Sequence, residues 1–332
     1  MSHFGPPSDK PDTEKVSLTS VPPLGGAWFV ALCGMLRSTD LFFRIGALKA
    51  LSTLTLIAWE HLVNAVLVLP LAWRNRRYYR QVTRTEMLLF LLIGVGASAC
   101  GILFFTAAFR RLNPALVILL QKLQPLITIG LGIAVLKEQP RRHFWLFAGL
   151  AIASSYFVTF SLSNPFQVEW WQLASGAGYA VAAAFFWGGG TAWGKLLLGK
   201  YPQSFLLANR FLLGAVFTVM LAMLTGRGLR YDLVVTGTEP LLDDIAYMAL
   251  IPGLLATAAF YHGLNRLPAA ITSILELIFP LSSVIIMWVW FDRPIDGVQI
   301  AAAMILFWSM YMVSRDPEMS TSQAVDNSAK RP

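Results

Sequence analysis

The chain has 332 residues, 56% hydrophobic and 13% charged, with a formal net charge of +8. A soluble domain is usually about 45–50% apolar and about 25% charged, so this composition excludes an ordinary water-soluble fold. The positive balance does not indicate a nucleic-acid partner, because the basic residues cluster in short loops between apolar blocks, as membrane topology requires.

In chain order, residues 1–24 are rich in Pro, Ser, Asp and Lys and read as a disordered tail. The first apolar block, 25–46, is interrupted by Arg37 and Asp40, which argues against a cleavable signal. Apolar stretches of membrane-spanning length follow at 53–73, 86–109, 113–136, 142–162, 172–194, 203–225, 243–264, 267–291 and 295–314. A span needs about 20 such residues. The expectation is an all-α integral membrane protein with about ten transmembrane helices, closed by a second disordered tail at 315–332. Arg74, Arg76, Arg77, Arg80 and Arg84 fill the second loop. Lys137, Arg141 and Arg142 lie in the fourth, and Lys195 and Lys200 in the sixth. This bias places both termini in the cytoplasm, with the chain embedded in the plasma (inner) membrane.

One stretch occurs twice. Arg111-Leu112-Asn113-Pro114-Ala115 runs on to Gln121 and Pro125-Leu126; Arg266-Leu267-Pro268-Ala269-Ala270 runs on to Glu276 and Pro280-Leu281. Subtracting 125 from 280 gives 155, and the same offset aligns the Arg-Leu pairs. A proline inside a helix donates no hydrogen bond and frees the carbonyl four residues earlier, here at Gln121 and Glu276. Paired mid-span prolines in two halves point to the binding site of a secondary transporter. Five helices per copy is an odd number, so the second copy enters the membrane from the opposite face. Two inverted five-helix repeats, 25–162 and 163–314, are therefore expected.

Ionisable groups inside spans usually face a bundle interior or a watery cavity. Arg37, Asp40 and Arg44 stand at i, i+3 and i+7 and so share one face of the first helix, and Asp40 can pair with either arginine. The stripe either fixes that helix or lines the solute path. Glu60 and His61, beside Trp59, form a proton site, or Glu60 bridges to Arg210 or Lys122. Glu276 breaks the symmetry of the repeat opposite Gln121, as a coupling site or a partner for Lys122 would require. The candidate substrate-binding residues are Arg37, Asp40, Trp59, Glu60, His61, Gln121, Lys122, Gln124, Trp187, Arg210 and Glu276, with Pro125 and Pro280 breaking the helices. The slight excess of in-span cations suits an anionic solute. Gly94-x-Gly96, Gly130-x-Gly132, Gly176-x-Gly178 and Gly188-Gly189-Gly190 permit close helix packing, and the last is alternatively a hinge. Tyr261, His262 and Asn265 are candidates for a gate.

No catalytic motif or nucleotide-binding loop is present, and Cys33 and Cys100 lack metal-ligand spacing. Neither an enzyme, a metal nor a cofactor is expected. The duplicated helices with Pro125 and Pro280 resemble the drug/metabolite transporter superfamily in its ten-helix EamA type. The likeness covers about residues 25–314 and includes Lys137-Glu138, similar to that family's short charged ending. The second copy departs from it with Asp292-Arg293. The resemblance implies alternating access by a small-molecule solute, an amino-acid-like metabolite moved outward, with protons as a candidate coupling ion. The competing reading is a membrane-embedded binding or scaffold protein without transport. Oligomeric state is open, since one polar cavity per chain suffices.

Overall fold

The computed structural model of the chain describes residues 23–315 apart from 110, 113, 164–169, 227, 235–240 and 293. Both expected tails therefore lie largely outside the described residues. The described chain is helical throughout, without a strand among those residues. Its helices are α1 (Pro23–Ser38), α2 (Leu41–Ala50), α3 (Thr53–Arg74), α4 (Arg84–Leu91), α5 (Gly101–Phe109), α6 (Pro114–Gln121), α7 (Leu123–Ala134) and α8 (Arg142–Phe160). They continue as α9 (Trp170–Leu198), α10 (Gln203–Leu224), α11 (Tyr231–Val234), α12 (Leu242–Met248), α13 (Ala256–Arg266), α14 (Ala269–Leu275), α15 (Ile278–Phe291) and α16 (Gly297–Ser314). Wider, π-helical turns at Leu92–Cys100 and Ala249–Leu255 join α4 to α5 and α12 to α13.

Seven helical segments are long and apolar enough to cross a membrane: Thr53–Arg74, Arg84–Ala108, Arg142–Phe160, Gln203–Leu224, Leu242–Arg266, Ala269–Trp290 and Gly297–Ser314. This is a multi-pass membrane protein. Three of the ten expected spans fall outside that set, each for a visible reason. The first is broken between α1 and α2, where Ser38 and Thr39 donate their hydroxyls to the carbonyls of Met35 and Leu36 at 2.6 and 2.8 Å. Such bonds compete with the helical ladder. The fourth is interrupted at Lys122, leaving Leu119–Ala134 as a shorter apolar segment. The sixth, α9, is 29 residues long, but glycine and tryptophan dilute its hydropathy.

The internal repeat is written into the helix boundaries. The α5, α6 and α7 starts, at 101, 114 and 123, have counterparts in α13, α14 and α15 at 256, 269 and 278. Subtraction gives 155 each time, the offset of the duplicated motif. Both π-helical turns end one residue before α5 and α13 and so share it too. In the second, Pro252 lies within the turn and has no N–H to give. The wider register accommodates the lost donor inside a membrane helix.

α3 packs along α10, α1 along α13, α16 along α8, and α5 and α7 along α9. Close approaches join α10 to its neighbours. A Cβ on Gly94 would stand 2.6 Å from Leu213 Cβ, and one on Gly214 would stand 2.4 Å from His61 Cδ2. α9 runs unbroken through Gly188-Gly189-Gly190. There Gly188 lets α7 come close enough for Thr128 Oγ1 to donate to its carbonyl at 3.3 Å. The run lies within an unbroken helix and admits close neighbours, Gln124 O at Gly188 and Ala97 at Gly190.

Candidate functional site

Pro125 and Pro280 both break their helices, and the breaks are built alike. Lys122 N–H donates to Leu119 O at 2.9 Å, and its counterpart Leu277 N–H donates to Ile274 O at 3.1 Å. Both are tight turns that close the helix before the proline. The carbonyl of Glu276, which Pro280 was expected to leave free, is corrected by the same tightening: Phe279 N–H reaches it at 3.0 Å. The polar side chains, rather than a bare carbonyl, are what the second break presents.

Those side chains meet. Gln124, in the first turn of α7, donates its amide to Glu276 Oε2 at 3.2 Å. Arg37 of α1 donates to Glu276 Oε1 at 3.1 Å. One carboxylate thus ties the two breaks to the first helix. Arg210 lies within electrostatic reach of the same group and donates to the hydroxyl of fully buried Tyr261 at 3.2 Å. The Arg37 guanidinium also rests over the Phe260 ring, 5.5 Å from its centroid. Its side chain keeps 31% of its surface exposed, so the cluster is reachable. Glu276 pairs with Arg37 and not with Lys122, because α14 and α15 pack against α1. Lys122 is buried at the first break, and its side chain makes no hydrogen bond or ion pair to any described residue.

A second charged cluster lies apart from the first. Arg44 holds both oxygens of Asp40 and reaches Glu60 Oε2 at 2.9 Å. Neither expected bridge from Glu60, to Arg210 or to Lys122, forms, since α2 folds back beside α3 and brings Arg44 first. The break at Thr39–Asp40 also separates Arg37 from the other two, so the three do not form one stripe on one helix. Asp40 and Arg44 still pair one turn apart.

His61 does not join Glu60. Its Nδ1 lies 2.9 Å from Ile57 O and its Nε2 3.0 Å from Ser98 Oγ. A carbonyl only accepts, so Nδ1 carries the proton and Ser98 donates to Nε2. The ring is fully occupied as a buried contact between α3 and the first π-helical turn. Trp59 donates its indole N–H to Leu229 O at 2.5 Å in the loop before α11. Trp187 packs at a tilt against Phe105, ring centroids 5.1 Å apart, and covers Gly101. Gln121 ends α6 without a side-chain partner among the described residues. Of the expected gate, Tyr261 belongs to the central cluster, His262 packs edge-on to Phe29 at 4.1 Å, and the Asn265 carbonyl accepts from Lys195 at 3.3 Å.

Glu138, known from the sequence only as a family-like ending, has a structural task. Its carboxylate accepts from the backbone N–H groups of Ala269 and Ala270 at 2.6 and 3.0 Å. It caps α14, the half-helix that leads to Glu276, from the far end of α7. Lys195 matches it by donating to the last carbonyls of α13, Leu264 at 2.8 Å. An acid at a helix N-terminus and a base at a C-terminus complement the two dipoles. The second copy has Arg293 in the place of Glu138, outside the described residues.

Comparison with known proteins is consistent with this architecture. A solved crystal structure of another protein superposes with a TM-score of 0.71 at 14% identity, over 90% of this chain and 98% of that one. At that identity the likeness is one of fold alone. A riboflavin transporter, ImpX, from Fusobacterium nucleatum subsp. nucleatum is 27% identical over 296 residues, spanning 87% of this chain and 97% of that protein. The EamA-like transporter family matches residues 24–160 and 174–315. Those two stretches fall on the two halves whose helix boundaries repeat, and together they make this chain a member of the EamA-like transporter family.

Proposed function

We propose that the protein is a secondary carrier that moves a small polar organic solute by alternating access. In this reading the chain crosses the membrane ten times as two inverted five-helix repeats, with both termini in the cytoplasm. The observation that carries it is the Gln124–Glu276 contact, 3.2 Å long. It joins the two proline breaks, one from each half, at a group that Arg37 and Arg210 also address. Carriers built on repeats place solute at such a junction, and rocking one half against the other exposes it to each side in turn.

Amino-acid-like metabolites suit a cluster that offers guanidinium, carboxylate and amide together. A second solute class is favoured by the riboflavin transporter that this chain resembles along nearly all of that protein's length. The aromatic wall of Phe105 and Trp187 would suit a flat heterocycle.

The test is solute counterflow into proteoliposomes, with labelled amino acids, sugars, nucleosides and riboflavin. Exchange of one class, lost in Glu276→Gln, supports both carrier and site. Ligand binding without flux for any solute would favour the non-transporting scaffold.

A further inference from the structure

Four in-span cations, Arg37, Arg44, Lys122 and Arg210, stand against three in-span carboxylates, Asp40, Glu60 and Glu276. The carboxylates are already claimed. Arg44 holds Asp40 and Glu60, and Arg37 with Gln124 holds Glu276. Arg210 has the Tyr261 hydroxyl and the field of Glu276. Lys122 is the remaining cation. It is 9% exposed, and no neighbouring described charge acts on it.

An in-span ammonium without a counter-charge is costly. Lys122 stands between the end of α6 and the start of α7, a helix of 12 residues, and its own side chain makes no capping bond there. Gln124, at the same break, touches Glu276, so the break that carries Lys122 is itself tied to the junction where solute is expected.

We propose that Lys122 seats an anionic group of the transported solute, a carboxylate or a phosphate. The rest of the solute lies toward Glu276 and Arg37. The ligand's charge supplies the counter-ion that the fold withholds, so binding and desolvation of Lys122 are offset only in the loaded carrier. This rests on the carrier reading and narrows its substrate class.

The test uses two matched pairs, glutamate with glutamine and riboflavin 5′-phosphate with riboflavin. Each pair differs chiefly in the anionic group. Thermal unfolding of the purified full chain comes first, since it needs no flux, and counterflow in proteoliposomes second. The anionic member of at least one pair should stabilise the protein and exchange about tenfold faster than its neutral partner. In Lys122→Gln that ratio should fall to about one, and Lys122→Arg should restore part of it. Lys122→Met, which keeps the length and packing of the stem, serves if the glutamine variant does not fold. Preference for the neutral member in both pairs, or a preference that survives loss of the lysine, overturns the proposal. So does a lack of stabilisation by all four probes. Stabilisation by an anion that depends on Lys122, with no counterflow of any solute, would uphold the seat and remove the carrier reading.

Discussion

Glu138→Ala is expected to be among the most damaging single changes outside the charged clusters. The carboxylate is 9% exposed and accepts two backbone N–H groups, from Ala269 and Ala270, both fully buried. Hydrogen bonds to a charged group contribute about 1.5–3 kcal/mol each, and removing the acceptor leaves two desolvated donors. The N-terminal dipole of α14 loses its counter-charge as well, worth up to about 2 kcal/mol in partly buried sites. A total near 3–5 kcal/mol is reasonable, which at about 2 °C per kcal/mol lowers Tm by about 6–10 °C. Glu138→Gln keeps one acceptor and turns an amide donor toward the other N–H, so roughly half that loss is expected. Tryptophan fluorescence during thermal unfolding in detergent reads all three proteins. Gly132→Ala offers an independent approach to the same bond, because its Cβ would stand 2.8 Å from Glu138 Oε2 and push the carboxylate away. A Glu138→Ala protein within about 2 °C of the parent would refute the reasoning, and an unaffected Gly132→Ala would show that the carboxylate is not held where described.

Glu276→Gln removes the charge that faces Arg37 while preserving shape, and counterflow should fall by about tenfold or more with the protein still monodisperse. Flux within twofold of the parent would discard Glu276 as a site residue. Pro125→Ala restores an N–H for the carbonyl of Gln121 and should straighten α6 onto α7, slowing turnover more than it alters Tm. Loss of expression without a selective transport defect would count against that. Gly214→Ala places a methyl 2.4 Å from His61 Cδ2 and 3.3 Å from Gly94 O, and should cost about 1–3 kcal/mol by overpacking. An unchanged Tm would mean that α3 and α10 are less tightly apposed.

Much of the scaffold is legible in hydropathy and proline placement. All ten expected segments coincide with helical chain, and both prolines sit just beyond real breaks. Hydropathy reports how apolar a segment is, and says nothing of hydroxyls that compete for carbonyls. The end of α1 at Ser38 was therefore missed. The π-helical turn at Leu92–Cys100 has no proline to mark it and could not be read at all. Partner choice was the weakest part. Glu60 sits sixteen residues from Arg44 in sequence, yet which cation it meets depends on how α2 folds back, a matter of depth and rotation. The role of Glu138 was hidden for a related reason. A carboxylate past the end of one helix gives no sign that it caps another one 131 residues away. Lys122 and Gln124 were legible as polar intrusions beside a proline, but their different fates were not.

The interruption at Thr39–Asp40 divides two kinds of attachment. On one side Arg37 is fastened to Glu276; on the other Arg44 is fastened to Asp40 and Glu60, and Thr39 itself accepts from the Tyr247 hydroxyl at 3.0 Å. A change that breaks the Arg37–Glu276 pair therefore leaves the ties of α2 to α3 in place, while α1 keeps its packing along α13. The two clusters of charge can be perturbed one at a time, because the chain between them is held by its own hydroxyls and by Tyr247.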